Sequence, residues 1–107
     1  MTSTMRALCC AIALLAAPAA ALAAGDPAAG KTKAYTCLGC HGIADYKNVY
    51  PTYHVPKLAG QNAEYIVLAL KAYANGERAH DTMHAHAASM SEQDKQDIAA
   101  YFATSGQ

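Results

Sequence analysis

The run Cys37-Leu38-Gly39-Cys40-His41 constrains this chain more than any other feature. It sets two thiols about one helical turn apart and puts an imidazole directly after the second. The surrounding sequence is poor in core-forming residues, with few large aliphatic side chains among many alanines and no Trp. A length of 107 residues allows one small domain. Domains of this size bury too little apolar surface unless a disulfide, a metal or a cofactor helps. The charge balance, 8 Lys+Arg against 8 Asp+Glu, argues against a nucleic-acid partner.

Residues 1–24 read as a secretory signal peptide. Arg6 is their one charged side chain, an apolar run extends from Ala7 to Ala17, and Pro18 precedes the small-residue stretch Ala19 to Ala24. Ala21-Leu22-Ala23 resembles a cleavage box and puts the cut near Ala23 or Ala24. The competing reading is an uncleaved membrane anchor. Its run is short of the ~20 residues a bilayer requires, and Pro18 interrupts it. Cys9 and Cys10 lie inside this stretch and receive no role. The domain is then residues 25–107, with a formal charge of −1 once Arg6 is removed.

Export points to an oxidising compartment, where two cysteines three apart could form a redox-active disulfide. That reading asks for a preceding strand and a βαβ surround, which the sequence lacks. A structural zinc site asks for four ligands, and only scattered histidines are available. Cys-x-x-Cys followed by His is instead the attachment signature of c-type haem. The two thiols add across the two vinyl groups of one porphyrin, and the adjacent imidazole reaches the iron. Cys37 and Cys40 are therefore the candidate thioether residues, and His41 is the candidate iron ligand.

The expected class is all-α. Asp26-Pro27 starts a first helix, with Gly30, Ala34, Cys37 and Leu38 along one face; Gly30 leaves room for another helix to approach. Residues 43–61 have no period and read as an ordered loop packed on the cofactor. A second helix begins at Asn62 and stops at Asn75-Gly76, with Ile66, Ala69, Leu70 and Tyr73 in a stripe. A last helix opens on the capping-box-like run Ser91-Glu92-Gln93-Asp94 and carries Ile98, Tyr101 and Phe102 on one face. Gly76 to Met90 reads as a loop. Its histidines His80, His84 and His86 fit a solvated segment, with a surface metal site or a pH-sensitive contact as the other readings.

Candidates for the second axial position are His54, His80, Met83, His84, His86 and Met90. Met90 directly precedes the expected cap Ser91, where apolar residues serve as packing. Met83 sits among polar neighbours without an evident packing role. The residues alone favour Met83 and leave the others open.

The runs GDPAAGKTKAYTCLGCHG, PKLAGQNAEYI, LKAYANGER and MSEQDKQDIAAYFA together resemble class I c-type cytochromes. They look most like one haem domain of the bacterial cytochrome c4 and c-553 group. The resemblance covers essentially the whole of residues 25–107. It implies a small class I cytochrome c fold, three to five helices wrapped around one covalent haem c. It also implies Met83 as the second iron ligand and Met90 as core. Pro56 would offer its carbonyl to the His41 ring, and Leu58 would pack near the porphyrin. The first and last helices would cross, with Gly30 and Ala34 meeting the Tyr101 region. One departure is plain: cytochrome c4 has two haem domains, and this chain has one motif.

The implied function is periplasmic electron transfer, not catalysis. An upstream respiratory complex would donate, a terminal oxidase or reductase would accept, and docking on a membrane complex would be transient. Near-neutral charge implies docking that depends little on salt. Homodimerisation is a further option. The rivals are an electron-entry subunit of a larger periplasmic oxidoreductase, and a ligand-binding haem protein with a displaceable sixth ligand.

Overall fold

The computed structural model describes residues 24–106. The signal peptide assigned to residues 1–24 falls outside them, apart from Ala24. Five α-helices carry the fold: α1 (Pro27–Lys33), α2 (Leu38–His41), α3 (Ala63–Asn75), α4 (Asp81–Ala88) and α5 (Glu92–Thr104). Among the described residues no helix is long and apolar enough to cross a membrane.

Three of the helices begin where their capping residues dictate, and α3 also ends at one. The Asp26 carboxylate accepts from the Ala28 amide and Pro27 occupies the first turn of α1. Asn62 caps α3 through the Tyr65 amide, and Gly76 closes it at φ 84°, a left-handed conformation that glycine adopts without strain. At α5 the Ser91 hydroxyl accepts from the Asp94 amide while the Asp94 carboxylate accepts from the Ser91 amide. A capping box is complete.

Three expectations are corrected. The stretch Gly76 to Met90 is not a loop throughout, because α4 occupies Asp81–Ala88 with the His80 ring as its cap. Residues 43–61 contain a short antiparallel hairpin, β1 (Lys47–Asn48) and β2 (Tyr53–His54), with Lys47 opposite His54 and Asn48 opposite Tyr53. Its tip stands out from the protein, with Val49 83% and Tyr50 95% exposed, while Tyr53 to Leu58 line the cleft described below. The apolar face predicted for the first helix also breaks. Gly30 and Ala34 are buried, whereas Leu38 is exposed. A 3-10 turn over Ala34–Thr36 intervenes, and its three residues per turn rotate the following side chains out of phase.

The core lies where α1, α3, α4 and α5 meet. Its buried apolar residues are Ala34, Ile66, Val67, Leu70, Ala87, Ile98, Ala99 and Phe102. Helices α1 and α5 cross in backbone contact: a Cβ placed on Gly30 would lie 1.9 Å from the Asp97 carbonyl oxygen.

A buried carboxylate holds this crossing together. Asp97 is nearly inaccessible, yet it accepts from the Asp26 amide at 2.9 Å, the Gln93 amide group at 2.8 Å and Lys33 Nζ at 2.6 Å. Lys33 also pairs with Asp94 at 2.8 Å. The Lys33 ammonium holds the carboxyls of both Asp94 and Asp97 down from their ordinary 3.8 to about 2. A carboxyl with a depressed folded-state pKa favours folding above its unfolded pKa, and that contribution disappears as pH falls through the folded value. The melting temperature should therefore drop steeply between about pH 4 and pH 2. Lys33→Met should flatten this acid limb in melts followed by circular dichroism; an unchanged limb would contradict the assignment.

A second charge network joins α3 to α5. Glu92 bridges Lys71 at 2.8 Å and the buried Lys95 at 3.1 Å, and Lys95 also donates to the Met90 carbonyl. The Gly60 amide donates to the Phe102 carbonyl at 2.9 Å, tying the PKLAGQ segment to the end of α5. That tie positions one wall of the site.

Candidate haem site

The Cys37–His41 segment is wound helically. The His41 amide donates to the Cys37 carbonyl at 2.8 Å and the Cys40 amide to the same oxygen at 3.1 Å. The thiols are therefore set about a turn apart on one short coil, and Gly42 ends it by bonding back to Leu38. Cys37 is half-buried against the core and Cys40 is exposed. Burial pushes the Cys37 thiol up from its ordinary value. A disulfide-exchange nucleophile requires the opposite shift.

Cys37, Cys40 and His41 open onto one cleft of about 250 Å³. The structure brings Pro56, Leu58 and Met83 to the same cleft. Its floor is apolar, formed by Ile66, Leu70, Ile98 and Phe102. Leu58, Met83 and Met90 are partly buried and pack against that floor.

His41 Nδ1 lies 2.8 Å from the Pro56 carbonyl oxygen. A carbonyl can only accept, so Nδ1 carries the proton and Nε2 keeps its lone pair. Such a partner fixes the ring and strengthens its donation to a metal. Met83 is carried on the first turn of α4, not on a loop. The Met83 amide donates to His80 Nδ1 at 3.3 Å, and the His80 ring stands edge-on to Tyr53 with centroids 4.7 Å apart. The hairpin is thereby joined to the Met83 side of the cleft.

Several residues of the site carry little or no signal in the sequence. Tyr65, Tyr73 and Arg78 line the cleft, and the Arg78 guanidinium sits 4.8 Å over the Tyr73 ring. Only the helical stripe of α3 could have pointed to Tyr73. The histidines of the 80–86 segment do not act as a group. His80 caps α4, His84 donates from Nδ1 to the Tyr73 carbonyl at 2.8 Å, and His86 lines the cleft. Among the described residues no group of three or more His, Cys, Asp or Glu is placed to hold a metal ion.

These residues fit a porphyrin: two thiols and an imidazole at the rim, a thioether in the wall and an apolar floor. The comparisons with known proteins agree. The family model described as cytochrome c matches residues 27–105. Cytochrome c-554(548) of Halomonas halodenitrificans is 42% identical over 84 residues, covering 76% of this chain and 98% of that protein. Cytochrome c4 of Pseudomonas aeruginosa is 44% identical over 82 residues, covering 77% of this chain but 39% of its own length. Among solved structures, cytochrome c4 of Acidithiobacillus ferrooxidans superposes with a TM-score of 0.56 at 28% identity, covering 77% of this chain and 52% of that one. The chain therefore spans nearly all of one relative and about half or less of the cytochromes c4. Covalent haem c with its iron, and electron transfer, come with the family. On its motif, its fold and these likenesses, the chain belongs to the class I c-type cytochromes of the cytochrome c4 group.

Proposed function

We propose that this chain is a periplasmic carrier of single electrons. Cys37 and Cys40 would hold the haem through thioethers, and His41 and Met83 would hold its iron. The observation that carries this reading is the His41–Pro56 bond, which leaves Nε2 free in a cleft that Met83 also lines. When bound, haem supplies the ferric/ferrous couple, and a thioether ligand raises its potential.

The chain's own residues supply position and dryness. Pro56 fixes the His41 ring, α4 carries Met83, and Ile66, Leu70, Ile98 and Phe102 keep water from the floor of the cleft. Imidazole and thioether both bind either oxidation state, so little has to move as an electron passes. With His41 and Met83 both holding the iron, no position would remain open to peroxide or oxygen, which supports a carrier, not an enzyme. The partners are an upstream respiratory complex and a downstream oxidase or reductase, met in brief encounters over small interfaces. The residue 1–24 leader supports export.

Met83→Ala in the holoprotein is the test. It should abolish the far-red thioether-to-ferric band and lower the potential by on the order of a few tenths of a volt, within the ~0.8 V that axial ligands span. An unchanged band and potential would remove Met83 from the site. Ready binding of carbon monoxide by the reduced wild type would favour the ligand-binding alternative.

A further inference from the structure

Besides His41, the cleft is bordered by His54, His80 and His86. Their situations differ. The His80 ring is committed to the cap of α4, and its Nδ1 lone pair is taken by the Met83 amide. His84 does not border the cleft, and its Nδ1–H donates to the end of α3. His86 lies three residues beyond Met83, on the same face of α4. Cβ atoms at that spacing are about 5–6 Å apart. The His86 side chain is exposed toward the cleft, and its ring has no hydrogen-bond partner among the described residues.

The first turn of α4, with Met83, is held by the 3.3 Å cap bond, by the His84 amide donating to the His80 carbonyl at 2.8 Å, and by the edge-on contacts of the His80 ring with Tyr53 and Tyr73. Ala87, 0% exposed, anchors the last turn in the core. Opening the first turn would carry Met83 away and leave His86 at the cleft wall.

We propose that His86 is a reserve axial ligand, whose imidazole takes the sixth position when the Met83 thioether leaves it. The inference rests on the assignment of Met83 above. The exchange breaks one Fe–S bond and forms one Fe–N bond. The nitrogen lone pair supplies the bonding electrons, and no net electron or proton is transferred. Imidazole is the harder donor, so the exchanged form favours ferric iron and has a lower potential. The chain would then possess two electron-transfer states separated by the opening of a single helical turn.

The test compares ferric holoproteins by optical and electron paramagnetic resonance spectroscopy at one fixed pH: wild type, Met83→Ala, Met83→Ala/His86→Ala and Met83→Ala/His54→Ala. Met83→Leu, which keeps the side-chain volume, runs the same comparison should the alanine variant unfold. The wild type should show the thioether band. The single variant should lose it yet remain low-spin, with two nitrogen ligands. Removing His86 as well should give high-spin iron and speed cyanide binding by about tenfold or more, while removing His54 should change neither. A single variant that is already high-spin, or one kept low-spin without His86, overturns the proposal and leaves Met83 in place. A wild type without the thioether band overturns the Met83 assignment and this inference with it.

Discussion

Gly30→Ala should destabilise the holoprotein by about 2 kcal/mol. Alanine favours helix over glycine by up to about 1 kcal/mol, so the substitution begins with a gain. Its Cβ would fall 1.9 Å from the Asp97 carbonyl oxygen and 2.8 Å from the Tyr101 Cβ. The first of these is backbone and cannot swing aside. Helices α1 and α5 must then separate, and overpacking of this kind costs about 1–3 kcal/mol or more. Separation also pulls Lys33 and the Asp26 amide from Asp97, which adds to the clash. A domain of this size should lose roughly 10 °C of melting temperature. Gly25 is equally tight, 2.0 Å from the Gln96 carbonyl, but it precedes α1, where the chain can move away. Its alanine variant should melt closer to wild type. A Gly30→Ala protein as stable as the parent would mean that the helices do not cross there.

Cys37→Ala/Cys40→Ala should have the largest effect of all. Both covalent tethers go, and among the described residues the core left behind consists of eight buried apolar residues, three of them alanine. The cleft floor of Ile66, Leu70, Ile98 and Phe102 would then face water in place of a porphyrin. A ligand that binds only the folded state stabilises it by mass action, and its loss withdraws that contribution. The expected result is a colourless chain with little helical circular dichroism and rapid digestion by trypsin. A well-folded apoprotein would show that the polypeptide does not depend on its cofactor.

The helices bounded by strong caps were legible in the sequence. Asp26-Pro27, Asn62 with Gly76, and the Ser91–Asp94 box mark α1, α3 and α5, because each satisfies end groups by local bonds. Helix α4 was not, for a physical reason. Its cap is a histidine, its one buried residue is Ala87, and no apolar stripe runs along it. Tertiary packing against α3, not propensity, holds it in place. The hairpin strands are two residues long, too short for alternation to register. Gly30 could be read as a close approach, but the Asp97 hub could not. Asp97 joins Asp26 across 71 positions, and nothing near it marks an aspartate of α5 as buried.

The gathering of Cys37, Cys40, His41, Pro56, Leu58 and Met83 at one cleft follows from that same economy. A short motif fixes one rim, and the Gly60–Phe102 bond fixes the segment that presents Pro56 and Leu58. What lay beyond the sequence was the opposite wall. Tyr53, His80 and Tyr73 form an aromatic seam there, in which the hairpin meets the α3–α4 corner from about twenty or more residues away.

Denaturing extraction of the purified, exported protein with acidified organic solvent separates covalent from loosely held haem. The red colour should stay with the polypeptide, whose intact mass should exceed that of the apoprotein by a single haem. A colourless chain, or a pigment that passes freely into the solvent, would contradict covalent attachment.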